Sequence, residues 1–570
     1  MNAGDQTTTN THIQTQTQTQ TQTQENTMET NAFRRPARTR IRRLAPVMAI
    51  VAGGVLLAGC TAAGTGLVQA ASETGSSGAT SSTASAAVST TLEELASANQ
   101  DGTVVREDEW SIDDAIDVTL SGSAATADSG VSSADGVVTI TEAGVYRLSG
   151  SLDGRIVVAA ADDAQVVLVL DDASITSGDG PAIEVQTADD VAVHLADGSQ
   201  STIVDTSAYG DDADANAAIF SEQDLTISGA GSLSVAASND GITSEDDLAI
   251  IGGTIDVVAA DEALRGKDSI QVEGGTLTLE AGGDALQSDN TDEADRGWIR
   301  VEGGTISAAA GDDGFDAATD LLISGGTISV DVAGDGLHGD VALAIADGTV
   351  TVAGSNEGLE SALVQIDGGV IDVTAVDDGI NGASGGGGQP GAEGEIDSGE
   401  LIAITGGSLT LHTDSDGIDS NGSIEISGGE IVVWGPTTER EGALDANVDI
   451  TISGGTVLAV GASGMAQAPS DTSSQPWLQG LATGEEGSTI EIRGTDGEVL
   501  ATYAAESAFS NVVFSSAELS GDSATVMVDG VETEVELGVA VGASMGGPGG
   551  AADGGMGGPG GAGGMPPARP

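Results

Sequence analysis

Residues 311–340 read GDDGFDAATDLLISGGTISVDVAGDGLHGD and contain two copies of one acidic turn. The pair Asp313-Gly314 returns as Asp335-Gly336, 22 positions later, and a Gly-Gly-Thr-Ile segment lies between the two pairs. Apolar and polar residues alternate here with a period of two, as in half-buried β-strands, and the period of 3.6 that marks helices is absent. The segment therefore predicts a repeated β-unit with an acidic turn.

The same unit recurs over residues 236–465, where Gly-Gly pairs mark its period. The pairs begin at residues 252, 274, 303, 325, 368, 406, 428 and 454, with Asp347-Gly348 in the place of one pair. Several steps are 22 residues long, and insertions near 288–297 and 384–399 lengthen others. A fixed period with localised insertions is typical of solenoids. We predict an all-β chain in which three short strands per unit of about 22 residues form one coil of a parallel β-helix.

The segments on either side of the repeats differ from them in pattern. Residues 104–235 are rich in β-formers but less regular, and we expect them to supply an N-terminal β region and the opening coils. Residues 476–540 have hairpin-like patterns and predict a small antiparallel β cap over the open end. Residues 541–570 consist mainly of Gly, Met, Pro and Ala and predict a disordered tail.

The N-terminal part of the chain has the pattern of a targeting segment rather than that of a folded domain. Residues 1–33 are low in complexity and predict disorder. Residues 34–60 combine a basic segment, a short apolar run and the sequence Leu-Ala-Gly-Cys, which is similar to a bacterial lipobox ending at Cys60. This pattern predicts a lipoprotein signal peptide, a lipid on Cys60 and a location on the extracellular face of the bacterial cell membrane. Residues 61–98 are rich in Ser, Thr and Ala and predict a tether.

The composition limits the possible partners. The chain has 89 Asp and Glu against 16 Lys and Arg, for a formal net charge of −73. Such a charge argues against nucleic acid and against direct contact with an anionic membrane surface, because phosphates are repelled. It favours cations, basic surfaces, or acidic polymers that are bridged by a metal. Solubility alone is the simpler interpretation of the same charge.

Stacked coils would align the acidic turns in a column. The acids of the column are predicted to be Asp240, Asp261, Asp284, Asp313, Asp335, Glu357, Asp378, Asp416 and Glu441. Two unit charges about 4.8 Å apart repel by about 0.9 kcal/mol in water and by about 3.5 kcal/mol at an effective dielectric of 20. Either the side chains are well hydrated, or cations lie between them.

Calcium is the cation that such a column suits, because it accepts six to eight oxygen ligands. Several turns carry a second oxygen-bearing side chain three residues after the first, and no Cys or His cluster suggests zinc. The predicted calcium ligands are Asp313, Asp316, Asp335, Glu357, Glu360, Asp378, Asp416, Asp419 and Glu441. Solvated turn acids without a metal remain the alternative.

Four stretches carry a resemblance to a known family: VYRLSGSLDGRIVV at 145–158, VVLVLDDASI at 166–175, the repeated GGTI and Asp-Gly units, and SNVVFSSAEL at 510–519. Together they resemble the bacterial calcium-binding, carbohydrate-binding β-helix proteins, whose fold is similar to that of pectate-lyase-like polysaccharide lyases. The resemblance implies a right-handed parallel β-helix and a cell-surface protein that binds plant cell-wall polysaccharide, such as cellulose or polygalacturonate. We expect a monomer.

Three functions are compatible with these patterns. The favoured one is a surface-anchored, calcium-dependent carbohydrate-binding protein or adhesin, although few aromatic side chains are available to stack on sugars. The candidates are Trp298, Trp434 and Phe315, and we interpret Trp298 as a cap on an insertion rather than a sugar platform.

A polysaccharide lyase is the second possibility. Its candidate basic residues would be Arg265 and Lys267, which we interpret instead as counter-charges to Asp261, Glu262 and Asp268. A binder of ice or crystal surfaces is the third, because a ladder of threonines follows the Gly-Gly pairs. The ladder consists of Thr254, Thr276, Thr305, Thr327, Thr349 and Thr456 and is interrupted by other residues.

Overall fold

The computed structural model describes residues 91–210, 213, 215–384 and 399–541. The chain divides into two units, Met1–Ser85 and Ala86–Pro570, and every described residue belongs to the second. Several predictions lie outside the described residues: the low-complexity segment 1–33, the signal peptide 34–60 with the lipidation site Cys60, most of the tether, most of the insertion 384–399, and the tail beyond 541. No helix within the described part of the chain is long and apolar enough to cross a membrane.

The all-β prediction is confirmed, since the described residues form 44 strands and almost no helix. Strands in the repeat region fall into three rows, each row being a set of strands that pair in parallel with one another. The first row follows the Gly-Gly pairs and contains Ser232–Ala236, Thr254–Val258, Thr276–Ala281, Thr305–Ala310, Thr327–Val332, Thr349–Gly354, Val370–Ala375, Ser408–Thr413, Glu430–Trp434 and Thr456–Gly461.

The second row follows the acidic turns and contains Asp240–Ser244, Leu264–Gly266, Leu286–Ser288, Phe315–Ala317, Leu337–Ile345, Leu359–Ile366, Ile380–Gly382, Ile418–Ser420 and Leu444–Ala446. Two of these strands, Leu337–Ile345 and Leu359–Ile366, continue into the third row. The other strands of the third row are Asp224–Gly229, Asp247–Ile250, Ser269–Val272, Trp298–Val301, Asp320–Ile323, Leu401–Ile404, Ser423–Ile426 and Asp449–Ile452.

The opening region, 104–235, continues this parallel pairing. Its strands are Ile116–Gly122, Ala124–Thr126, Val131–Ala134, Val137–Ile140, Gly144–Asp153, Arg155–Ala159, Val166–Ser177, Ile183–Thr187, Asp190–Leu195, Gln200–Asp205 and Ala217–Ser221. Two antiparallel pairs, Ile116–Gly122 with Ala124–Thr126 and Val131–Ala134 with Val137–Ile140, lie at its start.

The predicted antiparallel sheet near the C-terminus is present. Strands Thr489–Arg493, Val499–Ala504, Ser523–Val528 and Val531–Glu536 form a four-stranded antiparallel sheet. Between the second and third of these strands in the chain, Asn511–Ser515 pairs antiparallel with both Thr456–Gly461 and Trp477–Gly480. The parallel pairing of the first row therefore ends at Thr456–Gly461.

The core consists of apolar side chains that stack in register. In the first row Ile328 pairs with Ile306 on one side and with Val350 on the other, and each is at most 1% exposed. Burying one such side chain contributes about 1.5–3 kcal/mol. The Gly-Gly pair before each strand of the first row forms a corner of the chain. At Gly326 this corner requires glycine, because φ is +94° and a Cβ would lie 3.2 Å from the carbonyl oxygens of Gly303 and Gly304. Glycine alone fits such a corner without strain.

A segment that we name the N-terminal strap, residues 91–110, lies against the outer face of the third row. It begins with the helix Leu92–Ala96, in which Thr91 and Glu94 form a capping box, and a 3₁₀ turn at Ile112–Asp114 follows it. Leu95 packs against Leu322, Ala342 and Ala344. Residues 91–98 therefore belong to the folded unit, whereas the sequence analysis assigned them to the tether. That assignment rested on composition and did not take account of the capping box or of the packing of Leu95.

Candidate functional site

The register of the second row aligns the acidic turns of successive units. Phe315 pairs with Leu286 before it and with Leu337 after it, and the same register continues to Leu444. Residues two positions before these partners form what we call the first column: Asp240, Glu262, Asp284, Asp313, Asp335, Glu357, Asp378, Asp416 and Gly442. Residues one position after them form the second column: Thr243, Arg265, Gln287, Asp316, His338, Glu360, Asn381, Asp419 and Asp445.

The structure corrects two members of the predicted column. The N–H of Gly241 donates to the carbonyl of Glu262, so Glu262 occupies the place assigned to Asp261. At the far end the N–H of Gly417 donates to the carbonyl of Gly442, so Glu441 lies one residue outside the column. The charge of Glu441 nevertheless acts on Asp378 and Asp419, whose pKa values it raises. The other eight residues predicted to bind calcium all lie in the two columns.

A ladder of hydrogen bonds runs along the first column, and the sequence did not reveal it. The Oδ1 atom of Asp313 accepts a hydrogen bond from the N–H of Asp335 at 2.7 Å, and Oδ1 of Asp335 accepts one from the N–H of Glu357 at 3.0 Å. The same bond joins other units at 2.9 Å, from Asp313 N–H to Asp284 and from Asp416 N–H to Asp378. One carboxylate oxygen of each of these aspartates therefore binds the backbone of the next unit.

Carboxylates of neighbouring units converge in groups. Asp335, Glu357 and Glu360 each place one oxygen within 4.8 Å of the others, and Asp313, Asp316 and His338 form a second such group. In the second group Nδ1 of His338 lies 2.9 Å from Oδ1 of Asp316. The first group offers only oxygen ligands, as calcium prefers, whereas the second includes an imidazole.

Burial raises the pKa of many of these carboxyls, and the charges of neighbouring carboxylates add to the effect. The pKa of Asp313, Glu357 and Asp416 rises to about 8 in each case. The pKa of Glu360 and Asp419 rises to about 7. Removal from water disfavours the ionised form, and so does a second negative charge nearby. Without a cation, part of the column therefore holds protons at neutral pH.

His338 is the basic group that the second column brings to these acids. Burial alone would lower its pKa, but the hydrogen bond to Asp316 and the charges of Asp316, Glu360 and Asp340 outweigh it and raise the pKa to about 9. The imidazole is therefore protonated at neutral pH and offsets one negative charge. It cannot ligate a metal in that state.

Other acids of the repeat region are neutralised by arginine or lysine. Nη1 of Arg296 lies 2.9 Å from Asp247, and Nε lies 3.6 Å from Asp268. Arg265 binds Glu245 at 2.7 Å and Asp289 at 3.1 Å. These contacts support a counter-charge role for Arg265. Its partners are Glu245 and Asp289 and not the predicted Asp261 and Glu262.

The first column lacks such neutralisation over much of its length. Among the described residues, no Lys or Arg nitrogen lies within 4.0 Å of the carboxylates of Asp313, Glu357, Asp378 or Asp416. Buried carboxylates without a counter-ion are costly, whereas a hard divalent cation would convert the repulsion into coordination. The oxygen-rich donor set and the raised pKa values fit such a cation.

The candidate aromatic residues of the repeats do not form sugar platforms. Trp298 and Phe315 are 0% exposed, and Trp434 is 4% exposed. Trp298 instead packs in the third row, where the guanidinium of Arg300 lies over its ring at 4.7 Å. The threonines of the first row do face outward, but Val370 interrupts them.

Comparisons with known proteins place the chain in a family. The model of the carbohydrate-binding domain-containing proteins matches residues 134–384 and 319–436, which together exceed half of the chain. The repeats and both columns as far as Asp419 lie within this match. The chain belongs to the family of carbohydrate-binding domain-containing proteins.

A relative and a solved structure are also similar in part. A carbohydrate-binding domain-containing protein of Acetivibrio thermocellus is 38% identical over 130 residues, which are 22% of this chain and 46% of the relative. The match thus spans about half the length of that relative. The polysaccharide lyase-like protein from C. thermocellum, solved as a gadolinium derivative, has a TM-score of 0.36 and 30% identity over 47% of this chain and 97% of that chain.

Proposed function

We propose that the protein binds plant cell-wall polysaccharide in a calcium-dependent manner and acts as an adhesin on the bacterial surface. The single observation that carries this proposal is the pair of carboxylate columns, aligned in register, largely buried and without arginine or lysine partners in the first column. Family membership supports a carbohydrate as the partner. The lipid on Cys60 would be the only contact with the membrane, and the protein would act as a monomer.

The proposed architecture is a right-handed parallel β-helix with one coil per repeat. Equivalent residues in successive units, such as Asp313 and Asp335 or Asp335 and Glu357, are 22 residues apart and are joined by a hydrogen bond. Three parallel rows with this register support three strands per coil. The helix would then present its columns along one corner.

The residues proposed to hold calcium are Asp313, Asp335, Glu357, Glu360, Asp378, Asp416 and Asp419. Calcium bound there would supply positive charge for the hydroxyl and carboxylate oxygens of a polysaccharide. Such charge matters for this chain, because its net charge of −73 would otherwise repel an acidic polymer such as polygalacturonate. A neutral polymer such as cellulose would need hydrogen bonds to its hydroxyl groups.

Depletion assays with insoluble cellulose and with polygalacturonate gel test the proposal. The full chain is expected to leave the supernatant almost completely in calcium, to a much smaller extent in EDTA, and to respond weakly to magnesium. The double substitution Asp416→Asn and Asp419→Asn should weaken binding, whereas Asp256→Asn with Asp372→Asn, at exposed positions of the first row, should not. Equal retention in calcium and EDTA would refute calcium dependence, and no retention on either polymer would refute the function.

The contacts of Arg265 and Lys267, the candidate bases for polysaccharide cleavage, do not favour a lyase. Arg265 is held by Glu245 and Asp289, and Nζ of Lys267 lies 3.4 Å from Glu245. Both side chains therefore act as counter-charges. An assay for the absorbance of unsaturated products on polygalacturonate is expected to show no calcium-dependent increase.

A further inference from the structure

We propose that a cleft between the N-terminal strap and the third row binds one uronic acid unit of a polysaccharide, with Arg300 as the group that receives the sugar carboxylate. This inference rests on the proposed carbohydrate-binding function and adds a second, calcium-independent contact to it. The cleft lies in the third row, apart from the carboxylate columns of the second row.

The cleft has the size of a single-sugar site. Its volume is about 280 Å³, close to the lower limit of roughly 300–1,000 Å³ that is usual for small-molecule sites. It holds a single sugar unit rather than a length of chain. The residues that line it are Asp101, Gly102, Val104, Arg106, Gln271 and Arg300.

Arg300 is a positive charge that its surroundings leave available. Its guanidinium lies over the ring of Trp298 at 4.7 Å, and Nη2 donates one long hydrogen bond of 3.4 Å to the carbonyl of Ala96. Its Nε is buried and has no hydrogen-bond partner among the described residues. Within the same described ranges, no carboxylate lies within 4.0 Å of the guanidinium.

An unpaired arginine is notable in a chain with 89 acidic residues and only 16 Lys and Arg. Arginine presents five N–H donors in a planar fork that matches the two oxygens of a carboxylate, and stacking on an aromatic ring keeps that fork oriented. The ring of Trp298 is itself fully buried, so it fixes the plane of the guanidinium. The cleft is therefore prepared for an anionic group.

The other polar groups of the cleft favour a sugar over a compact inorganic anion. Arg106 is already neutralised, because its two terminal nitrogens each donate a 2.6 Å hydrogen bond to Glu273. Nε2 of Gln271 donates to the same carboxylate at 2.9 Å. Asp101 is exposed at the rim. The carboxylate of Asp101 can accept hydrogen bonds from sugar hydroxyl groups, which sulfate and phosphate dianions do not offer.

The strap is held closely enough to form a wall. Nδ2 of Asn99 donates to Asp320 at 3.0 Å, and the N–H of Thr103 donates to Asp247 at 2.9 Å. A Cβ at Gly102 would lie 3.1 Å from Oγ of Ser269 and 3.4 Å from the ring of Trp298. A large side chain at position 102 would therefore displace the wall of the cleft without removing any charge.

Isothermal titration calorimetry of the full chain with galacturonate oligomers and with uncharged cello-oligomers tests the cleft. In EDTA, Arg300→Gln should weaken galacturonate binding by about tenfold or more, and Arg300→Lys by less. Gly102→Leu should weaken it as well, since it moves the wall. The matched control is Arg147→Gln, which removes an exposed arginine paired with Asp117 and should bind as the wild type does.

The possible results separate this inference from the proposed function. Undiminished galacturonate binding by a folded Arg300→Gln variant, judged by its melting temperature, would overturn the cleft while leaving calcium-dependent binding intact. Failure of the wild type to bind any polysaccharide would remove the proposed function itself. Equal competition by acetate, sulfate and methyl galacturonoside would identify a general anion site and would also overturn the uronate assignment.

Discussion

The backbone N–H of Asp335 donates a 2.7 Å hydrogen bond to Oδ1 of Asp313, so a side chain of one unit holds the backbone of the next. The carboxylate therefore has two tasks. One oxygen maintains the register of the fold, and the charge of the group contributes to the column. Changing the oxygen and the charge separately distinguishes these tasks.

Replacement of Asp313 by Asn and by Ala separates structure from charge. Asp313→Ala leaves the N–H of Asp335 without its partner and should lower the free energy of unfolding by about 1–3 kcal/mol, with or without calcium. Asp313→Asn retains an acceptor oxygen, so in EDTA at pH 8 it should be as stable as the wild type or more stable, yet gain less from calcium. Urea unfolding measures both effects, and Asp331→Asn at an exposed position is the control. Equal calcium stabilisation of wild type and Asp313→Asn would exclude this carboxylate from a metal site.

Stability in a chelator should fall as the pH rises. Burial raises the pKa of Asp313, Glu357 and Asp416 to about 8, above the values near 4 that carboxyls have in unfolded chains. The folded state then holds more protons than the unfolded state between these values. The contribution of these groups is therefore complete below about pH 4 and is lost as the pH rises through about 8.

Calcium should flatten this pH dependence, since it favours the ionised carboxylates and replaces their protons. Unfolding in urea at pH 4.5, 6, 7.5 and 9, in EDTA and in calcium, measures both profiles. The double substitution Glu357→Gln and Asp416→Asn should reduce the slope in EDTA. If the free energy of unfolding rises with pH in EDTA, the pKa values of these buried carboxyls are not raised, and the prediction is wrong.

His338 should behave as a fixed positive charge at neutral pH. Its pKa is raised to about 9 by Asp316, Glu360 and Asp340 despite burial, which acts in the opposite direction. The stability that it contributes is present below the unfolded pKa near 6.5 and is lost as the pH rises through about 9. NMR titration of the imidazole of His338 gives its pKa directly. A pKa of 6.5 or lower for His338 would show that Asp316 is not its charged partner.

The sequence predicted the β-repeat and most of the column because both depend on a period of about 22 residues. It could not decide between Asp261 and Glu262, or between Glu441 and Gly442, since adjacent residues differ by one step of register. The contact of His338 with Asp316 also depends on register, because it joins two units.

The position of the N-terminal strap could not be predicted from sequence patterns, for a different reason. Its contacts join residues far apart in the chain, such as Thr103 with Asp247 and Asn99 with Asp320. No periodicity links a single crossing segment to the repeats beneath it. Consequently no sequence pattern distinguishes Arg300 from the other basic residues of the repeats, and the cleft beside it can be recognised only from the structure.

A last test compares a glycine of a Gly-Gly pair with a glycine in the turn before the C-terminal antiparallel sheet, since both have a positive φ. Gly326 and Gly487 have φ values of +94° and +85°, so alanine at either position adopts a conformation that costs about 1–2 kcal/mol. A Cβ at Gly326 would also approach carbonyl oxygens at 3.2 Å, whereas nothing lies within 4 Å at Gly487. Gly326→Ala should therefore lower the melting temperature clearly more than Gly487→Ala does, as measured by calorimetry. Equal losses would mean that successive units do not stack as closely at this corner as the register of the first row requires.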